Sequence, residues 1–240
     1  MISTPARNDI VFFRGQILKW FRNNQRYYPW RKTKNPFKIL IAEMMLQRTK
    51  ADQVVPVYKC FFSIFKSPGD VSSASMHTIN RILNPLGLKW RRKKFKKASL
   101  VLVNEFGGNV PRERHEILNI PGVGDYVAGI VLSIAFNKKE WVVDSNVVRV
   151  FRRYFGVNTS KEGRRDRHII EMARTYAYNR NPGKANLAII DFASVICSPR
   201  NPRCNKCILK SDCCFFKAKT QKKQALKLKH PAKTIPSRKS

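Results

Sequence analysis

Acidic residues are scarce in this chain. Its 240 residues hold 15 Asp+Glu against 48 Lys+Arg, a formal net charge of +33. Such an imbalance excludes an ordinary neutral surface and points to a polyanionic partner, nucleic acid first. Long apolar runs are missing too. The best candidate, Val127 to Phe136, is far short of the roughly 18 residues that a membrane span needs, and no basic amphipathic anchor helix is evident, so no membrane partner is expected. The start, MISTPARNDI, lacks the apolar core of a signal peptide. Neither internal repeats nor strand-like alternation are found. Cysteine is also sparse: five of the six fall between Cys197 and Cys214, and the sixth is Cys60. A disulfide scaffold would spread them through a shorter chain, whereas this clustering reads as a metal site.

What is present is helical periodicity in a chain with 43% hydrophobic residues, enough for a real core. Asp9 is expected to cap a first helix with Ile10, Phe13, Ile17 and Phe21 on one face. Arg26 to Lys34 reads as a basic, aromatic loop. Asn35-Pro36 opens a helix presenting Phe37, Leu40, Ile41 and Met44. The next helix has Pro56 in its first turn, and Ser67 to Asp70 reads as a turn. Two helices broken at Pro85 and Gly87 follow, the second opening on the basic run Trp90 to Lys97. Helices are also expected at 145–156, 168–178 and 185–196. The segment from residue 217 onward, with nine Lys/Arg and no acid, is expected to be a disordered basic tail. The fold class is all-α.

Three features carry chemistry. Leu118-Asn-Ile-Pro-Gly-Val-Gly-Asp125 sits between two helical segments over 112–136. Glycines flanking one small apolar residue permit a sharp turn whose bare N–H groups, at a helix N-terminus, suit a phosphate; a plain helix–helix turn is the simpler alternative. Asp144 lies between an apolar run and a helix start. As an N-cap it accepts from amides that favour its carboxylate form. The same carboxylate beside a sugar could stabilise positive charge at C1′, as in glycoside hydrolysis. The third feature is the spacing Cys197-x6-Cys204-x2-Cys207-x5-Cys213. It fits an iron–sulfur cluster or a four-cysteine zinc site, and spacing alone leaves both open.

The hairpin, the aspartate and the cysteine spacing together resemble the helix-hairpin-helix, Gly/Pro-rich loop and aspartate signature of base-excision DNA glycosylases, the endonuclease III and MutY branch in particular. The resemblance spans about residues 10 to 215. It implies two helical domains with double-stranded DNA across the groove between them. Residues 1–28 would join 139–214 in a cluster domain, 29–138 would form a six-helix barrel, and 215–240 the tail. It also implies a [4Fe–4S] cluster on Cys197, Cys204, Cys207 and Cys213, with Cys60 and Cys214 spare and Arg203, Lys206 and Lys210 presented to phosphates. Gly122, Val123 and Gly124 of the hairpin, and Arg149, would bind DNA. Gln47 would fill the space left by the extruded base, and Arg48 would touch the widowed guanine. An intracellular, DNA-associated monomer is expected, in the nucleoid or nucleus.

Relatives that also cut the backbone carry a lysine 18 residues before the aspartate. Here that residue is Tyr126, and a phenol forms no Schiff base. Tyr126, Asp144 and the short end after the cysteines are similar to the archaeal Mig-type mismatch glycosylases, as are Tyr28-Pro-Trp-Arg31 and Asp191 to Cys197. The implied activity is hydrolytic removal of thymine or uracil opposite guanine. Glu43 lies in Ile41 to Thr49, similar to the MutY segment whose glutamate protonates adenine, so it fits either substrate. The competing readings are a MutY-like adenine glycosylase, an endonuclease III-like glycosylase/lyase, and a catalytically silent DNA-binding module. Affinity for DNA is expected to fall steeply with salt.

Overall fold

The computed structural model describes residues 5–87, 89–160 and 162–229, with side chains through residue 221. Among the described residues there is no strand, as the missing alternation predicted. Two helices are buried almost all round and form the centre. One is α2 (Pro36–Leu46), started by Asn35, whose side chain accepts from Lys38 N at 3.0 Å, and by Pro36 at the first position. The other is α8 (Asp125–Ala135), where every residue from Val127 to Ile134 is buried. They pack against each other, so polar residues on either open into the interior rather than to bulk water.

Around this pair lie α3 (Ala51–Ile64), α4 (Pro68–Ser73), α5 (Met76–Leu83), α6 (Lys89–Phe106) and the short α7 (Arg114–Leu118). The N-terminal helix α1 (Arg7–Phe21) packs on α10 (Arg167–Ala177) and α11 (Pro182–Val195), far from it in sequence. Phe13 stands among Phe151, Tyr154, Phe155 and Tyr176, with ring centroids 4.7–5.9 Å away. Helix α9 (Ser145–Phe155) ends at Gly156, left-handed at φ 74°, as its glycine predicted. Helix α11 touches both α8 and α9 and joins the two groups of helices.

Four local expectations are corrected. The cap of α1 is Ala6; Asp9 is two residues inside and reaches back to accept from Ala6 N at 3.1 Å. Ser67 to Asp70 is not a free turn but the capping box that starts α4: Ser67 and Asp70 satisfy each other's amides. Pro56 falls in the second turn of α3, because the helix begins at Ala51. Finally, the tail expected to be disordered from 215 is helical as α12 (Cys214–Lys229). Its run of Ala, Lys, Gln and Leu has good helix propensity and meets no Gly or Pro before Pro231. The remainder of that expectation, 230–240, lies outside the described residues.

Candidate active site and nucleic-acid interface

A cleft of about 730 Å³ opens where α2, α8, the start of α9 and the 26–31 loop meet. Glu43, Gln47 and Arg48 enter it from α2 and the turn after it, Gly124 and Tyr126 from the hairpin side, and Asp144 from the cap of α9. Six of the residues expected from sequence are thus brought together. Gly122, Val123 and Arg149 do not line it.

Glu43 is only 6% exposed. Burial pushes its carboxyl up to about 7, with Arg31 opposing the rise and Asp144 adding to it. Near neutral pH it can therefore hold or release a proton. Burial, then Glu43 and Asp144, lift the Tyr126 phenol well above its usual value, so it stays neutral. Tyr126 can donate a hydrogen bond here but supplies no nucleophilic amine. Among the described residues, none of those lining the cleft is a lysine.

Asp144 is the N-cap foreseen for it. Its Oδ1 accepts from Asn146 N at 2.9 Å and Val147 N at 2.8 Å, capping α9, and its Oδ2 accepts from Asn146 Nδ2 at 2.6 Å. Getting it there requires a close crossing. A Cβ on Gly129 of α8 would collide with the carbonyl of Trp141, so only glycine lets the incoming segment of chain pass over α8. Asn186, 1% exposed, clamps the same segment through Glu140 O at 2.8 Å and Ser133 Oγ at 3.0 Å.

Arg149, expected to bind DNA, makes three bonds inside the protein. Nε donates to Cys197 O at 2.9 Å, Nη2 to Ala193 O at 3.0 Å, and Nη1 to Asn146 Oδ1 at 2.9 Å. All three guanidinium nitrogens are thus engaged inside the protein. It forms a brace running from the cysteine loop through Asn146 to Asp144. Arg153 braces the same loop, donating to Ser198 O and Pro199 O at 2.7 Å each.

The sequence reading missed another support. Asp191 is fully buried within α11 and takes Arg26 Nε at 2.8 Å and Arg31 Nη1 and Nη2 at 2.6 and 2.8 Å. Burial pushes this carboxyl up, but the two arginines hold it below its usual value. The clamp fixes the loop that walls the cleft, where Tyr28 stacks on Trp30 at 5.0 Å. A lone acid in the apolar run Ala188 to Val195 was the available signal, since a buried carboxylate demands a cation.

In the hairpin, Gly122 sits at φ 95° and Gly124 caps α8. Val123 N donates to Ile120 O at 3.0 Å and closes the turn, whereas the amides of Gly124 and Asp125 have no acceptor among the described residues. Gln47 Nε2 donates to Gly122 O at 2.9 Å, tying the expected wedge to the hairpin. Arg48 is exposed and left-handed at φ 57°, a costly backbone for a residue with a Cβ.

Cys197, Cys204, Cys207 and Cys213 are half-buried, whereas Cys60 and Cys214 are exposed. Burial pushes the Cys207 thiol up to about 11, and Cys213, Cys197 and Cys204 add to the rise, so the four thiols are electrostatic neighbours. Among the described residues no three His, Cys, Asp or Glu side chains converge closely enough to hold a single metal ion. No described helix is long and apolar enough to cross a membrane.

Comparison with known proteins places these features in a context. Residues 41–175 match the HhH-GPD superfamily of base excision DNA repair proteins. A thymine/uracil-DNA glycosylase of Methanothermobacter thermautotrophicus is 36% identical over 85% of this chain and 93% of that protein. An adenine DNA glycosylase of Buchnera aphidicola subsp. Baizongia pistaciae is 33% identical over 85% of this chain, but only 58% of that protein. A solved thermostable thymine-DNA glycosylase superposes with a TM-score of 0.84 at 35% identity, covering 88% of this chain and 98% of that one.

Proposed function

The chain belongs to the HhH-GPD superfamily of base excision DNA repair proteins, and from that premise we propose that it removes thymine or uracil opposite guanine by hydrolysis, leaving the strand uncut. It is a DNA glycosylase, a hydrolase of N-glycosyl bonds. The observation that carries the hydrolytic reading is one cleft holding Asp144, the buried Glu43 and the neutral Tyr126.

The target nucleotide must leave the stack for its C1′ to be reached, and a mismatched base is cheaper to extrude. Gln47 fills the vacated space and Arg48 meets the widowed guanine. As the glycosidic bond breaks, its electron pair leaves with the base, and Asp144 stabilises the positive charge developing at C1′. Glu43, poised near 7, supplies a proton to the departing base oxygen or takes one from the attacking water. Water adds to C1′ and an abasic site remains. An amine at position 126 would divert this route into a Schiff base; Tyr126 does not.

Outside the cleft, the amides of Gly124 and Asp125, with Gly122 and Val123 shaping the turn, receive a backbone phosphate. Residues 29–138 act as the hairpin-bearing domain and 1–28 with 139–214 as its partner, a division consistent with α1 packing on α10 and α11. We assign a [4Fe–4S] cluster to Cys197, Cys204, Cys207 and Cys213. Those four half-buried cysteines would hold it, each supplying one thiolate, the donor type such clusters require. When bound, the cluster cross-links the loop; Arg149 and Arg153 read that loop's shape through its carbonyls. The protein acts as a monomer on genomic duplex DNA.

The adenine reading keeps one specific support, the proton that Glu43 can hold. Both are tested with duplexes bearing T:G, U:G, A:G and A:8-oxoguanine, with and without hot alkali. Breaks only after alkali, and only at T:G and U:G, are expected. Breaks without alkali, or a preference for adenine, would overturn the assignment.

A further inference from the structure

Arg91 lies in the first turns of α6, carries none of the chemistry above, and is 2% exposed. Burial, with Arg92 beside it, lowers its pKa. A buried cation without a carboxylate is expensive, so its partners matter. Nη1 donates to Gln47 O, and Nη2 to Thr49 Oγ1 at 2.7 Å and to Leu86 O at 3.2 Å. No ion pair to Arg91 occurs among the described residues. One planar fork thus grips two turns that are about forty residues apart in sequence.

Both turns are unusual. The first ends α2: Gln47 is its C-cap, with a carbonyl that no helical amide can satisfy, and Arg48 follows at φ 57°. The second runs through Asn84–Leu86 into Gly87 at φ 68°. A cation at a helix C-terminus is favoured by the helix dipole, and the grip on residues 47 and 49 holds Arg48 in its left-handed state between them. Gln47 is also fastened to Gly122 O on its other side. No carboxylate competes for the guanidinium, and both of its terminal nitrogens are spent on these two turns, on the carbonyls of Gln47 and Leu86 and the Thr49 hydroxyl.

We propose that Arg91 is the positioning residue for base extrusion: it locks the Gln47–Arg48–Thr49 turn to the Asn84–Gly87 turn so that they enter the duplex as one rigid wedge. This rests on the glycosylase reading above. It separates two steps. Loss of Arg91 weakens extrusion, while the bond-breaking groups Asp144, Glu43 and Tyr126 stay in place.

The test compares the full chain with Arg91→Met and Arg91→Lys on two duplexes. One carries U:G; the other has uracil opposite an abasic-site analogue, where the target is already unstacked. Loss of charge-assisted hydrogen bonds predicts single-turnover excision from U:G slowed roughly 10- to 100-fold by Arg91→Met, with little change on the second duplex. Arg91→Lys, a point charge without the fork, falls between. In parallel, 2-aminopurine next to the target reports unstacking on binding, and its fluorescence rise is lost in Arg91→Met. Equal slowing on both duplexes, or an undiminished fluorescence rise, overturns the proposal, as does no slowing at all. If Arg91→Met fails to fold, Arg91→Lys carries the same comparison. If the unaltered protein excises from neither duplex, the glycosylase reading is what fails, and the fluorescence comparison still judges Arg91.

Discussion

Replacing Glu43 by Gln should make the protein more stable at alkaline pH while crippling it as an enzyme. The carboxyl is buried, and its pKa rises from an ordinary 4.5 to about 7, burial being the first cause. At about 1.4 kcal/mol per pH unit, that interval is worth ~3 kcal/mol. The sign follows from proton binding. Below pH 4.5 Glu43 is protonated in both the native and unfolded chains and contributes no difference. Between 4.5 and 7 the unfolded chain ionises while the native one keeps its proton, so stability falls as pH rises. Above 7 the full penalty of a buried carboxylate is present. The amide of the Glu43→Gln variant cannot ionise, so its advantage should grow from near zero at about pH 4.5 to ~3 kcal/mol by about pH 8. For a chain of this size that is a Tm difference of about 6–12 °C. Urea and thermal unfolding of both proteins from about pH 4.5 to about pH 8.5 give the comparison directly. Parallel pH profiles would show that Glu43 is not desolvated in the native state, and its role as a proton carrier near neutrality would go with it.

Other expectations are narrower. Gly129→Ala puts a methyl into the Trp141 carbonyl, so the segment bearing Asp144 must lift; we expect ~2 kcal/mol or more of destabilisation in urea melts and a fall in kcat exceeding any change in DNA affinity. Arg149→Met removes three hydrogen bonds to Cys197 O, Ala193 O and Asn146; binding of an intact duplex should change little in gel shifts while single-turnover excision drops at least tenfold, about 1.4 kcal/mol, and a primary loss of binding would mark Arg149 as a DNA contact instead. Cys204→Ser should abolish visible absorbance and iron content, whereas Cys60→Ser and Cys214→Ser, both at exposed positions, should leave them intact. Log Kd should rise linearly with log salt, at about −0.9 per neutralised phosphate in the binding constant; a flat profile would mean that the excess of positive charge is not spent on DNA.

Much of this architecture can be read from local pattern. The periodic faces of α1, α2, α3 and α9, the cap at Asn35 and the stop at Gly156 are set by neighbours within a turn or two, and these elements formed where periodicity put them. Asp144 as a cap is legible for the same reason. Misreadings arose where two local signals competed. Ser67-Pro-Gly-Asp70 carries turn residues, yet Ser67 and Asp70 are also spaced as a capping box, and the reciprocal bonds prevail. The lysine-rich end carries a disorder signature by charge, yet its helix propensity is high, and α12 runs to Lys229.

The functional residues divide along a similar line. Charge, the glycines of the hairpin, the cysteine spacing and the Tyr126–Asp144 interval are properties of the chain itself, and with them come DNA as partner and a carboxylate without an amine. What Glu43, Arg149, Asp191 and Arg91 do is not contained in their neighbourhoods. Glu43 has a raised carboxyl pKa because α8, distant in sequence, packs on α2 and the fold buries its side chain. Arg149 becomes a brace because the carbonyls of Ala193 and Cys197, more than forty residues away, lie within reach of its fork. A side chain's type determines which bonds it can make; its surroundings, assembled only when distant helices pack, determine which it does make. The sequence therefore decides the chemistry available to this protein, and the tertiary structure decides which acids are desolvated, which cations are free for DNA, and where the reacting groups meet.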